Sequence, residues 1–268
     1  MNLIQCYQTQ SSWYKNAPRG AKPVGILWHD TAAGNPNLKR YVQPSDDAPN
    51  RDEMLQIIGK NVYHNDWNHI DVQKGVNAWI GKLADGSVAT IQAGEWDIHA
   101  WGCGNGSKGS CNGYILKNGS RTWTEQTWIQ FEICDDGYKD RDYFLECYKE
   151  ACEFTAYICE LYGIDPQGTI EYAGESVPTI LCHADSHEYD LGSDHGDVYL
   201  WFNKFGKTME DVRDDVAKLM KKDDGDDSND DGDHGDDDEI VVDYLHTPEE
   251  AQAFLNDLIS HINNYFKK

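Results

Sequence analysis

With 268 residues, the chain has room for one domain of about 200 residues plus an appendage. Its formal net charge of -24 argues against nucleic acid or an anionic membrane as a partner reached through a general electrostatic field, and no apolar run approaches the ~18 residues of a membrane helix. Hydrophobic residues make up only 39% of the chain, so its nine tryptophans and fifteen tyrosines must supply much of the apolar body of a core.

The residues up to about Lys22 are polar and aromatic and predict an irregular lead-in. Val24–Trp28 form a continuous apolar run after Pro23, short enough for a buried strand. His29 ends that run ahead of turn-forming residues 30–37; taken alone it is a ligand or a core-edge histidine. Leu38–Val42 can open a helix, and Asp52–Ile58 a second one stopped by Gly59. Val76–Lys82 and Val88–Gln92, joined by Ala84-Asp85-Gly86-Ser87, read as a hairpin, the first strand half-buried. His64 and His69 precede it in a polar segment and read as surface or supporting residues. Residues 95–113 hold His99 and Trp101 and then so much glycine that they predict a loop able to close over a ligand.

Thr127–Cys134 is another strand pattern, interrupted by Glu132; a carboxylate there is edge-exposed or held near a charge. Tyr143–Tyr162 carries one apolar stripe at helical spacing, with Gly163 as its stop. Val177–Cys182 predicts a short buried strand, and His183 stands where that strand gives way to a polar loop. The following stretch brings His187 and His195 among Asp185, Asp190, Asp194 and Asp197, a mixture of imidazole and carboxylate that suits zinc. Tyr199–Phe202 reads as a docking segment and Thr208–Ala217 as a closing helix.

Three stretches divide the chain: a main domain, 1–222; an acidic linker, 223–239; and an amphipathic helix, 240–268. Within the linker, Asp227, Asn229, Asp231, Gly232 and Asp238 match calcium-loop positions, a cheap match in so acidic a segment. The final helix opens on the capping box Thr247-Pro248-Glu249-Glu250, and its single apolar face asks for the main domain, a second copy or a partner. None of the eight cysteines forms a CxxC. Cys147, Cys152 and Cys159 read as small buried hydrophobes, while Cys103 and Cys111 share the glycine-rich loop, where a disulfide is sterically easy. Met1–Gln5 lacks the basic and apolar regions of a signal peptide, so export would use another route.

Two strands thus end in His29 and His183, a third carries Glu132, and the loop after His183 supplies His195 and Asp197. Strand ends in α/β sheets are where sites assemble. Two imidazoles and one carboxylate leave a zinc position open for water. A nearby glutamate can take that water's proton, and a nearby histidine can donate to a developing oxyanion.

Gly25-Ile26-Leu27-Trp28-His29-Asp30-Thr31-Ala32, Phe131-Glu132-Ile133 and His183…Asp197 come in this order, with Asn77-Ala78-Trp79…Asp85-Gly86 between. Over roughly residues 21–219 the chain resembles the zinc N-acetylmuramoyl-L-alanine amidases, the type 2 family that includes phage amidases and peptidoglycan recognition proteins. The resemblance implies an α/β fold, a central mostly mixed sheet flanked by helices, here with a C-terminal helical appendage. It implies His29, His183 and Asp197 as zinc ligands, Glu132 as general base, and His195, where relatives often have Lys, as electrophilic helper. His99, Trp101, Thr31 and Asn35 would face the substrate. Ala78, a Tyr in some relatives, favours the glutamate-dependent variant; Trp101-Gly102-Cys103-Gly104 departs from the Trp-His-x-Gly of many relatives, with His99 displaced. His187 would rival Asp197 if its segment were helical, with Asp185, Asp190 and Asp194 as weaker rivals.

The implied activity is zinc-dependent cleavage of the bond between N-acetylmuramic acid and L-alanine in peptidoglycan. The expected setting is a phage endolysin released from the host cytoplasm to the cell wall, or a bacterial autolysin. The rival expectations are a non-catalytic peptidoglycan-binding module on the same fold and a calcium-dependent interaction through the acidic C-terminal region.

Overall fold

The structure, a computed structural model, describes residues 1–223; most of the expected acidic linker, its calcium-loop pattern and the C-terminal helix lie outside the described residues. The chain begins with β1 (Leu3–Gln5), α1 (Ser12–Asn16) and β2 (Lys22–Asp30), then passes a single 3-10 turn at Leu38–Arg40 to α2 (Arg51–Ile58). Next come β3 (Ala78–Lys82), β4 (Val88–Gln92), β5 (Gly109–Ser110), β6 (Tyr114–Lys117), β7 (Ser120–Trp123) and β8 (Gln126–Ile133). The long helix α3 (Arg141–Tyr162) leads to β9 (Thr169–Tyr172), β10 (Glu175–Pro178) and β11 (Ile180–Cys182), and three helices follow: α4 (His183–Glu188), α5 (Tyr199–Phe205) and α6 (Met209–Asp223).

Six strands form the central sheet in the order β1-β4-β3-β8-β2-β11. Only β3 and β4 run antiparallel to each other, so the sheet is mixed, as expected. Both faces of its inner strands are covered, which is why they read as near-continuous apolar runs. On one face, Ile26, Trp28, Ile129, Phe131, Ile180 and Cys182 pack against α3, α5 and α6. α3 starts where the Asp140 carboxylate accepts from the N–H groups of Asp142 and Tyr143, and it stops at Gly163 in the left-handed conformation. On the other face, Leu27, Trp128 and Leu181 meet Cys103, Cys111 and Leu191.

Several elements differ from expectation. The lead-in is ordered: β1 pairs in parallel with β4, and Trp13 of α1 is fully buried. A three-residue strand and a five-residue helix are too short to show a period. Leu38–Arg40 makes one 3-10 turn instead of opening a helix. β3 is buried almost throughout rather than half-buried, because it lies inside the sheet between β4 and β8. The run Val177–Cys182 divides at Thr179: its first part pairs with β9 in a separate hairpin, and its second joins β2. A third small sheet, β5-β6-β7, was not anticipated; its last strand, Ser-Arg-Thr-Trp, is exposed along its length and has no burial pattern to read.

Candidate active site

β2, β8 and β11 run in parallel, so their C-terminal ends deliver side chains to one rim of the sheet. His29 and Glu132 are register partners across β2 and β8 and share the face opposite Trp28 and Phe131. His183 follows β11 directly and is the first residue of α4, not of a loop. The chain then makes an excursion and returns: Ala184 N–H donates to the Asp197 carbonyl at 3.1 Å, which brings Asp197 back to the first turn of α4.

The three side chains converge. Asp197 Oδ2 lies 3.1 Å from His29 Nδ1 and 3.4 Å from His183 Nδ1. The two rings stand edge to face with centroids 4.8 Å apart. One donor atom from each residue lies within 4.8 Å of the others, and this is the one such group among the described residues. Ligands bound tetrahedrally at ~2.0–2.1 Å sit about 3.3 Å from one another. Two imidazole nitrogens and a carboxylate oxygen at this spacing therefore fit zinc, with one position left for water.

Electrostatics follow from the packing. Burial alone would lower the His29 pKa, but the Asp197 hydrogen bond and the Glu132 charge outweigh it and raise the group from 6.5 to about 9. His183 is lowered, first by burial and then by the charge of its neighbouring imidazoles, against the pull of Asp197. Burial would lift the Asp197 carboxyl, yet hydrogen bonds to both imidazoles hold it well below the usual carboxylate range. Glu132 is half-buried, and its Oε2 is out of solvent with no hydrogen-bond partner. Burial raises this carboxyl to about 7, with His29 opposing and Asp197 and Asp30 adding to it. A carboxyl poised near neutrality can both take a proton and return it. His195 is exposed and stacks on His183, centroids 4.5 Å apart and planes at 21°.

Residues 19–197 match the family model for N-acetylmuramoyl-L-alanine amidases. The chain belongs to that amidase family. Peptidoglycan amidase activity is what this membership supports. Among solved structures, the fold is similar to that of hydrolase AmiA from Staphylococcus aureus in complex with its ligand, at 18% identity over 82% of this chain and 83% of that one, with a TM-score of 0.48. PlyL is similar at 16% identity over 79% of this chain and 96% of that one, TM-score 0.44. The PlyG catalytic domain is similar at 16% identity over 81% and 96%, TM-score 0.43. No protein of curated function matches the chain.

In this amidase-family chain the rival donors are engaged elsewhere. The segment holding His187 is helical, the condition under which that residue would compete with Asp197. Its ring nevertheless points away from the group, with Nδ1 3.3 Å from the Gly192 carbonyl and Nε2 4.0 Å from Asp194. Asp185 caps the start of its own helix and accepts from Tyr199 Oη, and Asp190 pairs with Lys108 at 3.3 Å. His69 bonds to Asp66 at 2.7 Å, well outside the group.

The residues expected to face substrate are placed as follows. His99 is 2% exposed, its Nδ1 2.9 Å from the Asn112 carbonyl and its ring against Trp123, so it serves the loop's packing. Trp101 is half-buried against the cluster that contains Trp13 and Trp79. Thr31 donates to Asp135 at 2.7 Å, and Asn35 accepts from the Asn37 N–H at 3.1 Å; both organise the loop after β2. All eight cysteines are free thiols and buried, Cys103 and Cys111 included, so the sterically easy disulfide is not formed. Sequence reasoning missed Gln130 and Ser193, whose side chains meet the far nitrogens of the two clustered imidazoles at 3.1 and 3.2 Å. Gln130 had a signal, a second polar residue inside an apolar strand; Ser193 had none.

Proposed function

We propose that this chain hydrolyses the amide between the lactyl group of N-acetylmuramic acid and L-alanine in peptidoglycan, using zinc held by His29, His183 and Asp197. The observation that carries the reading is the convergence of those donors, within 4.8 Å of one another, beside the unpartnered Oε2 of Glu132. Zinc, when bound, supplies the Lewis acidity that lets a coordinated water lose its proton near neutral pH.

Glu132 takes the proton of the attacking water at its carboxylate and passes it to the departing L-alanine nitrogen. Its raised pKa, about 7, suits both transfers. His195 donates to the carbonyl oxygen as negative charge develops there; its place over the His183 ring sets it beside the reacting centre. The action belongs at the cell wall, as a phage endolysin released from the host cytoplasm or as an autolysin. A purely binding module on this fold has no need of two imidazoles and a carboxylate converging within 4.8 Å, which disfavours that alternative.

Digestion of purified peptidoglycan followed by mass spectrometry tests the reading. New free L-alanine amino termini with intact glycan strands are expected; new reducing sugars would overturn it.

A further inference from the structure

The far sides of both imidazoles are tied to one loop. Asn112 Nδ2 donates to the Gly104 carbonyl at 3.2 Å, which orients that amide and leaves its Oδ1 as acceptor. Gln130 Nε2 donates to Asn112 Oδ1 at 2.8 Å, so Gln130 Oε1 is the atom that faces His29 Nε2, at 3.1 Å. An amide oxygen only accepts; His29 must therefore carry a proton on Nε2, and in its neutral form it offers Nδ1 as a donor atom. His183 is fixed from the same place by another route. Its Nε2 lies 3.2 Å from Ser193 Oγ, Ser193 Oγ donates to the Cys103 carbonyl at 3.2 Å, and the Ser193 N–H donates to that same carbonyl at 2.8 Å.

The sequence is cut to fit. A Cβ at Gly102 would stand 2.3 Å from Gln130 Oε1 and 3.1 Å from His29 Nε2. A Cβ at Gly104 would stand 2.6 Å from Ser193 Oγ. The Gly102-Cys103-Gly104 backbone thus passes between the two relays, touching each where only glycine leaves room.

We propose that the 102–112 loop is the shared positioning element of the ion centre, with Gln130 and Ser193 as positioning residues that set ring orientation and tautomer in His29 and His183. This rests on the zinc reading above, and it assigns the glycine-rich loop a structural hold on the ligands where the sequence suggested closure over a ligand. Gln130 and Ser193 act through the imidazoles.

The test uses the full chain and metal binding, not turnover. Zinc affinity is measured by competition with a chromophoric chelator, and the visible d–d spectrum of the cobalt(II) form reports ligand geometry. Ser193→Ala and Gln130→Leu are each expected to weaken zinc binding roughly 10–100-fold and to shift the cobalt bands. Ser193→Thr, which keeps the hydroxyl, is expected to restore both. Ser193 is half-buried, so its variants keep the test decisive should Gln130→Leu fail to fold. A parent chain that binds zinc beside Ser193→Ala with the same affinity and an unchanged cobalt spectrum overturns this inference alone. A parent chain that binds neither ion overturns the zinc reading and this inference with it.

Discussion

On one face of the central sheet, Trp28 and Phe131 sit 5.0 Å apart between ring centroids and pack on α3, with Phe202 of α5 edge-on to Trp28. One residue further along the same strands, on the opposite face, His29 and Glu132 meet His183 and Asp197. The first face holds large apolar rings in contact. The second holds two imidazoles, two carboxylates, an amide and a hydroxyl, with one carboxylate oxygen left unpaired. Strand alternation lets adjacent residues serve these opposite ends, and the aromatic face fixes the backbone from which the polar face projects. Adjacent substitutions should therefore fail in different ways.

Glu132→Gln should show the largest effect. Release of muropeptides should fall by roughly 10²–10⁴-fold, with zinc content retained and thermal stability undiminished, because the isosteric amide removes a carboxyl whose charged form burial disfavours. Undiminished release would remove Glu132 as the base. Phe131→Ala, its immediate neighbour, should do the reverse. It should cost about 3–5 kcal/mol of stability, read as a lowered unfolding temperature, while activity per folded molecule well below the transition is kept. If Phe131→Ala abolished activity in folded protein, the two faces would not be separable.

A pH series sharpens the contrast within the polar face. The His29 pKa is raised from 6.5 to about 9, so its protonated form stabilises the metal-free fold fully below pH 6.5, and that contribution is lost as pH rises through 9. Zinc needs the same nitrogen without its proton, so apparent zinc affinity should rise roughly tenfold per pH unit up to about 9. Thermal scans with and without chelator should show the two forms moving in opposite directions; parallel curves would contradict the assignment of His29 as a ligand. The smallest effect belongs to His187→Ala, expected to change stability by less than ~0.5 kcal/mol and to leave zinc content intact. Loss of the ion in that variant would move the third ligand from Asp197 to His187.

The centre was legible in outline because its residues break apolar runs. His29 ends one, His183 another, and Glu132 interrupts a third, and each break marks a strand end on the sheet rim. The same signal was present at Gln130 and went unread, since an amide inside a strand has no chemistry of its own until its partners are known. The fold was legible where a period could establish itself, as in α3, and illegible in β1 and β5–β7, which are short or exposed. The helical start at His183 was hidden because its cap, Cys182, reads as the end of a buried strand, and Asp185 reads as loop polarity.

The hydrogen bond from Ala184 to the Asp197 carbonyl pins the stretch between them at both ends. Lengthening a closed segment costs little, about 0.6 kcal/mol for each doubling, and Asp194, His195 and Gly196 are exposed at its tip. A graft placed at Asp194 or Gly196 would hang outward from a staple. Length added there is thereby uncoupled from where Asp197 stands, provided that His195 keeps its stacking on His183.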